Sequence, residues 1–236
     1  MLSYYGILLP FLEDEMHLLP NLIRRDGTCI DVGANSGIYS FYLSKIVGSK
    51  GVVMAIEPNK DNFQRIRKIS NWMGVNNIIS INSAVGSKAE NVTFEIPSIR
   101  KGKVDDTRAH IVPRLEQKLV SNLEQVKVTT LDNLVDIFLR GRKIDFIKID
   151  AEGYEYFVME GAHKTINANN PVILIEIEEQ WQNRYDKTAD ELVNFLKSQF
   201  EYDVFIYKNN HLKKVDFVRK EYNNYFFLKK SKGDYS

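Results

Sequence analysis

A short apolar run that ends in a glycine-containing turn constrains the fold of this chain more than any other feature. The run from Thr28 to Val32 is apolar and β-branched, as in a buried strand, and the turn Gly33-Ala34-Asn35-Ser36-Gly37 follows it. Apolar residues then recur at helical spacing from Ile38 to Ile46. Because glycine permits a tight turn, this order predicts a strand, a turn and a helix in succession.

A carboxylate follows the second apolar run of the chain. Gly51 to Ile56 is predicted to be a neighbouring parallel strand, and Glu57 comes directly after it, ahead of Pro58 and Asn59. A carboxylate at this position of a doubly wound sheet can hold both hydroxyls of a ribose. The turn and the carboxylate together predict a site for a nucleotide-type cofactor.

Asp31 narrows the class of cofactor. A loop that binds phosphates needs a third glycine close to the helix start or a Lys-Ser/Thr pair, and this segment has neither. A carboxylate at the mouth of the turn repels a pyrophosphate and attracts an ammonium or sulfonium group. S-adenosylmethionine carries both cations and is therefore the favoured cofactor. The alternative, in which Asp31 caps a turn and Glu57 is an ordinary solvated residue, stays open.

Length and composition favour one α/β domain. The chain has 236 residues, of which 44% are hydrophobic and 27% charged, enough for one sizeable core. A net charge of +1 gives no overall attraction to nucleic acid or an anionic membrane. The single cysteine, Cys29, excludes a disulfide within the chain and a Cys-rich metal site, which favours a reducing, cytoplasmic setting. We expect no signal peptide and no membrane span, because the apolar start lacks a basic flank.

Predicted strands alternate with predicted helices along most of the chain. Further strands are expected at residues 78–81, 91–96, 126–129, 144–149, 172–177, 204–207 and 225–228, the last two joined through the turn at Asn209-Asn210. This alternation predicts an α/β, doubly wound, mostly parallel seven-stranded Rossmann-like sheet with one antiparallel strand near the edge. Helix caps are expected at Asn59 and Thr130, and Thr188 with Glu191 matches a capping box.

Two segments stand apart from this alternation within the single domain of residues 1–236. Residues 1–27 are predicted to hold one or two short helices, broken at Pro20, that cover the cofactor as a lid. Residues 97–122 lose periodicity and carry six Lys or Arg against three acidic residues. We expect them to be an inserted segment on the side of the acceptor, the molecule that receives the transferred group.

Several motifs occur in a characteristic order and together span most of residues 28–178. They are Asp31-Val32-Gly33-Ala34-Asn35-Ser36-Gly37-Ile38-Tyr39-Ser40, Glu57-Pro58-Asn59, Ala84-Val85, Thr130-Leu131-Asp132 and Phe146-Ile147-Lys148-Ile149-Asp150-Ala151-Glu152-Gly153-Tyr154-Glu155. In these motifs the chain resembles the FkbM-type methyltransferases, a branch of the class I enzymes that depend on S-adenosylmethionine. The long motif around Asp150 is the most specific of them.

The resemblance implies transfer of a methyl group from S-adenosylmethionine to a hydroxyl, usually on a sugar or a natural-product scaffold. It also implies that Asp31 and the turn from Gly33 to Gly37 contact the methionine end and ribose. Glu57 would contact the ribose hydroxyls, Ser83-Ala84 would flank the adenine, and Asp150 would lie beneath the sulfonium. The residues expected to bind the cofactor are therefore Asp31, Gly33, Ala34, Asn35, Gly37, Glu57, Pro58, Asn59, Ser83, Ala84 and Asp150.

Four residues are candidates for catalysis. Asp150 is the preferred base or acceptor-orienting group, because it follows a predicted strand whose carboxyl end faces the cofactor crevice. Glu176 ends the next strand, and Lys148 shares a face with Asp150. His110, in the inserted segment, has a side chain that can act as a base near neutral pH. Asp150 and Glu176 also suit a divalent cation, although we expect a reaction without metal.

Two other functions remain open. Lys148, Asp150 and Glu176 partly match the Lys-Asp-Lys-Glu set of RNA 2′-O-methyltransferases, but the near-neutral charge argues against nucleic acid. A module that binds the donor without turnover is the second alternative. The expected partner is a small-molecule, sugar or glycan acceptor.

Overall fold

The computed structural model describes residues 13–96, 98–99, 103–104, 109–112 and 123–230. Fourteen strands occur in these residues. They are β1 (Thr28–Val32), β2 (Val52–Ile56), β3 (Ile78–Ile81), β4 (Ala84–Val85), β5 (Glu90–Glu95), β6 (Ser98–Ile99), β7 (Lys103–Val104), β8 (His110–Ile111), β9 (Leu123–Thr129), β10 (Phe146–Ile149), β11 (Val172–Glu176), β12 (Tyr202–Lys208), β13 (His211–Val215) and β14 (Asn224–Lys229).

The main sheet has eight strands in the order β13-β12-β14-β11-β10-β1-β2-β3. Strands β3, β2, β1, β10 and β11 pair in parallel, and β14 enters antiparallel between β11 and β12. The α/β class and the antiparallel strand near the edge are as predicted. The carboxyl ends of the parallel strands therefore meet at one edge of the sheet, which is where a doubly wound fold binds ligands.

The predicted count of seven strands was wrong, because the turn at Asn209-Asn210 leads into β13 and not directly into β14. Strand β13 pairs antiparallel with β12 and adds a second reversed strand at the edge. Its sequence, His-Leu-Lys-Lys-Val, has a single buried residue, Val215, so it lacks the apolar run that marks the other strands. An edge strand with one solvated face gives little hydrophobic signal in the sequence.

Eight α-helices occur in the described residues, the first before β1 and the others between strands. They are α1 (Leu19–Leu22), α2 (Ile38–Val47), α3 (Lys60–Met73), α4 (Leu131–Phe138), α5 (Glu155–Glu160), α6 (His163–Asn169), α7 (Glu179–Gln182) and α8 (Ala189–Phe200), with short 3-10 helices at Asp14–Leu18 and Asn183–Tyr185.

The three predicted helix caps are confirmed. Asn59 Oδ1 accepts from the backbone amides of Asp61 and Asn62, and the Thr130 side chain accepts from the amide of Asn133. Thr188 and Glu191 form both hydrogen bonds of the capping box at the start of α8. These bonds satisfy amides that a helix start otherwise leaves unpaired.

A second, four-stranded sheet stands beside the main one in the order β4-β9-β5-β8. The strands expected at 91–96 and 126–129 belong to it, so they are not part of the doubly wound sheet. Strand β8 comes from the segment expected to be inserted, and the rest of residues 97–122 lies outside the described residues apart from β6, β7, Ala109 and Val112. The propensity of a strand does not reveal which sheet it will join.

The core lies on both faces of the main sheet. Cys29 and Phe146 point to one face with α2, while Ile30 and Ile147 point to the other with α4, α5, α6 and α8. The described part of the expected lid, residues 13–27, packs on the first face through buried Met16, Leu19 and Ile23; residues 1–12 lie outside the described residues. Within the described part of the chain, no helix has the length and apolar character that crossing a membrane requires.

Candidate active site

The glycine turn is held against the ends of the two neighbouring strands. The amides of Gly33 and Ala34 donate to the carbonyl of Ile56 at 3.0 and 3.1 Å, and the amide of Asp150 donates to the carbonyl of Val32 at 3.0 Å. Gly33 has φ +76°, in the left-handed region that glycine adopts without strain. The backbone after β1 is therefore fixed between the backbones that follow β2 and β10.

A cavity of about 610 Å³ opens at this edge of the sheet. The structure brings together in its wall seven residues expected to bind the cofactor: Gly33, Asn35, Glu57, Pro58, Ser83, Ala84 and Asp150. The residues therefore form one concave site although they are spread over half of the chain.

Four residues expected to bind the cofactor do not line the cavity: Asp31, Ala34, Gly37 and Asn59. Ala34 packs in a small cluster with Phe41 and Ile66, and Gly37 begins α2 with φ +89°. Asn59 donates its amide to Glu57 and caps α3.

Asp31 is buried and faces helix α2. Its carboxylate accepts a hydrogen bond from the hydroxyl of Ser40. Burial raises the pKa of Asp31 to about 6, against the opposite effects of the Ser40 hydrogen bond and of Lys148. Asp31 is not among the described residues that line the cavity, and its buried carboxylate faces Ser40 of α2 instead.

Glu57 lines the cavity with both carboxylate oxygens engaged. One oxygen accepts from the amide of Asn35 and the other from the amide of Asn59, each at 2.7 Å. Burial raises the pKa of Glu57 to about 7, although these two hydrogen bonds lower it. The carboxylate is thereby held in one orientation, with its free lone pairs available to hydroxyl groups.

The second sheet supplies a wall of the cavity that sequence reasoning missed. Phe94, Ala109 and Ile111 come from β5 and from β8 and its preceding residue, and Tyr154 completes this side. Tyr185 donates its hydroxyl to the carbonyl of Ile111 at 2.6 Å. No periodicity could have pointed to the first three residues, because only the docking of the second sheet brings them to the cavity. Tyr154 lay within the recognised motif without a role.

Lys148 lies between the two acidic candidates. Its Nζ atom is 3.7 Å from Asp150 Oδ2 and 3.9 Å from Glu176 Oε2, and only 3% of its side chain is exposed. Burial lowers the pKa of the Lys148 ammonium, but the charges of Asp150 and Glu176 outweigh it, so the net direction is upward. The structure thus brings the three predicted catalytic residues of β10 and β11 together.

Acidic side chains continue from this trio into a smaller depression of about 210 Å³ that shares Asp150 and Glu152 with the main cavity. Burial raises the pKa of Glu176 and of Glu152 to about 8 each, with Asp150 adding to both effects. Glu155 accepts from the amides of Ala151 and Gly153, at 2.8 and 3.1 Å. It therefore braces the loop that carries Asp150.

His110 does not reach the cavity. Its Nε2 atom lies 3.7 Å from Glu95 Oε2, while its neighbours Ala109 and Ile111 line the cavity wall. Alternate residues of a strand point to opposite faces, so the side chain of His110 points away from the site. The fourth catalytic candidate is thus separated from the other three. Among the described residues, no three His, Cys, Asp or Glu side chains are grouped so as to hold a metal ion.

Comparisons with known proteins agree with this geometry. The model of the methyltransferase FkbM domain matches residues 31–204. The "hexuronic acid methyltransferase AglP" of Haloferax volcanii is 27% identical over 164 residues, which cover 69% of this chain and 61% of that protein. The "probable cobalt-precorrin-6B C(15)-methyltransferase (decarboxylating)" of Sulfurisphaera tokodaii is 28% identical over 122 residues, covering 50% of this chain and 59% of that protein.

The solved structures include the FkbM methyltransferase of Methylobacillus flagellatus, with a TM-score of 0.55 and 17% identity over 95% of this chain and 57% of that chain. At this identity the likeness shows the fold. This chain spans about three fifths of the length of the curated relatives that it matches. The family model covers well over half of the chain, and the chain therefore belongs to the FkbM methyltransferase family.

Proposed function

We propose that this protein transfers a methyl group from S-adenosylmethionine to a hydroxyl of a sugar, glycan or natural-product scaffold. The observation that carries the proposal is the single cavity in which the glycine turn, Glu57 and Asp150 meet. The relative named as a hexuronic acid methyltransferase supports a sugar as the acceptor.

The residues of the cavity fit the proposed donor. Glu57 offers a fixed carboxylate for two ribose hydroxyls, and the turn at Gly33 brings backbone close to the ligand. Val85, Phe94 and Ile111 provide an apolar wall suited to a nucleobase. When bound, S-adenosylmethionine supplies an electrophilic methyl group on a positive sulfur.

In the proposed reaction, the protein aligns the acceptor hydroxyl and accepts its proton. Alignment alone can lower the barrier by up to about 7–11 kcal/mol. Asp150 lines both the cavity and the acidic depression, and we propose that donor and acceptor meet beside it. As a general base it would contribute about 10²- to 10⁴-fold. The carbon is already activated by the sulfonium charge, and we therefore propose a reaction that needs no metal.

Lys148 and the second sheet have supporting roles in this proposal. The Lys148 ammonium lies 3.7 Å from Asp150 Oδ2 and 3.9 Å from Glu176 Oε2, and its charge lowers the pKa of Glu176 against the larger upward effect of burial. Ala109 and Ile111, from the segment 97–122, line the cavity.

One observation favours a second candidate function, 2′-O-methylation of RNA. The structure places Lys148, Asp150 and Glu176 within contact of each other, as three members of a Lys-Asp-Lys-Glu set would be. The net charge of +1 opposes it, since affinity for nucleic acid comes largely from neutralising phosphates.

The test combines donor binding with transfer. Calorimetry with S-adenosylhomocysteine measures whether the cavity takes the donor, and absence of heat overturns the proposal. Labelled S-adenosylmethionine is then offered with neutral glycans, uronic acid glycans, nucleotide sugars and RNA, and mass spectrometry detects a gain of one methylene. Transfer to RNA alone establishes the second candidate, and donor binding without transfer to any class favours a binding module.

A further inference from the structure

The Lys148 ammonium rests on an aromatic ring from a different element. Its Nζ atom lies 5.1 Å from the centroid of the Tyr39 ring, which projects from the first turn of α2. A cation at this distance from a ring is attracted by the electrons of the ring face. The ammonium of Lys148 therefore contacts the Tyr39 ring as well as lying near Asp150 and Glu176.

The hydroxyl of Tyr39 is held by the segment that precedes β1. It donates to Glu13 Oε2 at 2.8 Å, and the same oxygen accepts from Asn224 Nδ2 at 3.1 Å. Asn224 begins β14 and is the register partner of Glu176 on β11. Glu13 thus joins the start of the described chain to the strand beside the acidic edge of the site.

The surroundings of Lys148 give its ammonium several competing partners. Asp150 and Glu176 lie at the sheet edge and Asp31 on β1. Glu15 lies in the 3-10 helix before α1, and Glu13 directly precedes that helix. The distances of 3.7 and 3.9 Å to Asp150 and Glu176 exceed those of hydrogen bonds, so these two carboxylates do not fix the ammonium by themselves. The ring of Tyr39 supplies the missing directional contact.

The region also has more acceptors than donors. Glu15 Oε1 and Asn224 Oδ1 are buried, and neither has a hydrogen-bond partner among the described residues. A cation is favoured in such surroundings, but its position within them must be set by some rigid group. The Tyr39 ring, tied at its hydroxyl, meets that requirement.

We propose that Tyr39 and Glu13 are positioning residues that hold the Lys148 ammonium at the acceptor side of the site, so that the segment before β1 is part of the active site. The inference rests on the proposed function for its kinetic consequence. An ammonium held beside Glu176 lowers the pKa of that carboxyl, against the upward effects of burial and of Asp150. A misplaced ammonium lets that carboxylate keep its proton to higher pH.

The test uses three substitutions and a matched control. Tyr39→Leu removes the ring, and Tyr39→Phe keeps the ring but loses its hydroxyl. Glu13→Gln replaces the carboxylate that accepts the hydrogen bond from this hydroxyl. Tyr42→Phe removes another buried tyrosine hydroxyl on the same helix and serves as the control. Tyr39→Phe and Glu13→Gln remain informative if Tyr39→Leu fails to fold.

We expect Tyr39→Leu to lower kcat by about tenfold, a part of the contribution of a general base. Tyr39→Phe and Glu13→Gln are expected to lower it by about threefold each, and the double variant by no more than either, because both changes disturb one hydrogen bond. In all three the acidic limb of the kcat–pH profile moves to higher pH, while affinity for S-adenosylhomocysteine stays within about twofold. The control keeps the wild-type profile.

A measurement without turnover separates this inference from the proposed function. The ε-methylene protons of Lys148 lie in the ring current of Tyr39, and their NMR shifts report the position of the ammonium. We expect those shifts to change in Glu13→Gln and Tyr39→Phe and to stay in Tyr42→Phe. Unchanged shifts in both variants overturn the inference, as do wild-type kcat and pH profile in an active protein. An inactive wild type with changed shifts overturns only the proposed function.

Discussion

The backbone of Gly33 lies directly against the carbonyl oxygen of Asp150. A Cβ atom on residue 33 would come within 1.7 Å of that oxygen, and the left-handed φ of +76° disfavours any side chain in addition. The turn after β1 and the loop after β10 are thus in backbone contact. The turn proposed to bind the donor and the loop that carries Asp150 therefore cannot move independently.

The first prediction concerns this contact. Gly33→Ala is expected to lower the free energy of unfolding by about 3 kcal/mol, from overlap and backbone strain together. It should also weaken S-adenosylhomocysteine binding by more than about tenfold, because the loops must separate. Gly74→Ala is the matched control: it has a φ of +65° with nothing within 4 Å of an added Cβ. We expect it to cost about 1 kcal/mol and leave binding unchanged. If Gly33→Ala and Gly74→Ala bound S-adenosylhomocysteine with equal affinity, the contact between Gly33 and the carbonyl of Asp150 would have no role in binding.

The second prediction concerns Glu57. Glu57→Gln keeps the size of the side chain but replaces one carboxylate oxygen with a donor that opposes the amide of Asn35 or Asn59. Losing charged hydrogen bonds of about 1.5–3 kcal/mol corresponds to roughly tenfold to hundredfold weaker binding of S-adenosylhomocysteine. Calorimetry measures this loss, with Glu160→Gln at an exposed helix end as the control. Unchanged affinity would remove Glu57 from the ribose site.

The third prediction separates chemistry from binding at Asp150. Asp150→Asn preserves shape and removes the proton acceptor, so turnover should fall by about 10²- to 10⁴-fold. Affinity for S-adenosylhomocysteine should stay within a few fold, as calorimetry on the same preparation will show. If turnover persists in Asp150→Asn and collapses in Glu176→Gln, the base is Glu176.

The fourth prediction concerns the attachment of the second sheet. Tyr185→Phe removes the hydroxyl that holds the carbonyl of Ile111 and costs about 1 kcal/mol for that hydrogen bond. Because Ile111 lines the cavity, donor affinity should fall by a few fold, and proteolysis near β8 should become faster. Tyr207→Phe, at a hairpin turn on the other edge of the main sheet, should change neither. If Tyr185→Phe kept the wild-type donor affinity and rate of proteolysis, the hydrogen bond from Tyr185 to Ile111 would not be needed to hold this side of the cavity in place.

The fifth prediction concerns stability and pH. The pKa of Glu176 is raised from 4.5 to about 8, first by burial and then by Asp150. The folded protein therefore keeps a proton that the unfolded chain releases, so the stability from this group is present below pH 4.5 and lost as pH rises through about 8. Glu176→Gln imitates the protonated form and should gain stability relative to wild type as pH rises from about 5 to about 8. Urea unfolding at about pH 5 and about pH 8 measures the free energy of unfolding of both proteins. The prediction is contradicted if Glu176→Gln differs from wild type by the same amount at both pH values.

Local patterns predicted many of the elements because their causes are local. Asn59 and Thr188 cap helices through bonds to amides two or three residues away, and the run from Thr28 to Val32 forms a strand buried on both faces. The recognised motifs likewise placed Glu57 and Asp150 at strand ends, where the structure has them. By contrast, β13 escaped prediction because one of its faces is solvated and it has no apolar run.

His110 and Phe94 show where pattern reasoning stops. His110 was a candidate base because the side chain of histidine can accept a proton near neutral pH. The pairing of β8 with β5, however, turns this side chain toward Glu95 and turns the neighbouring residues toward the cavity. Phe94 carried no signal of function, and yet it lines the site because β5 belongs to a second sheet. Both outcomes depend on contacts between residues distant in sequence.

The sequence by itself determined the order of strands and helices, the glycine turn and the acidic strand ends, since each depends on backbone preferences and burial over a few neighbouring residues. Tertiary structure alone decided that a second sheet closes the cavity, that Asp31 is buried behind the turn, and that Lys148 meets Tyr39 and Glu13. These contacts join segments up to 211 residues apart, as Glu13 and Asn224 show. Their energies arise only when the whole chain is packed, so no local pattern records them.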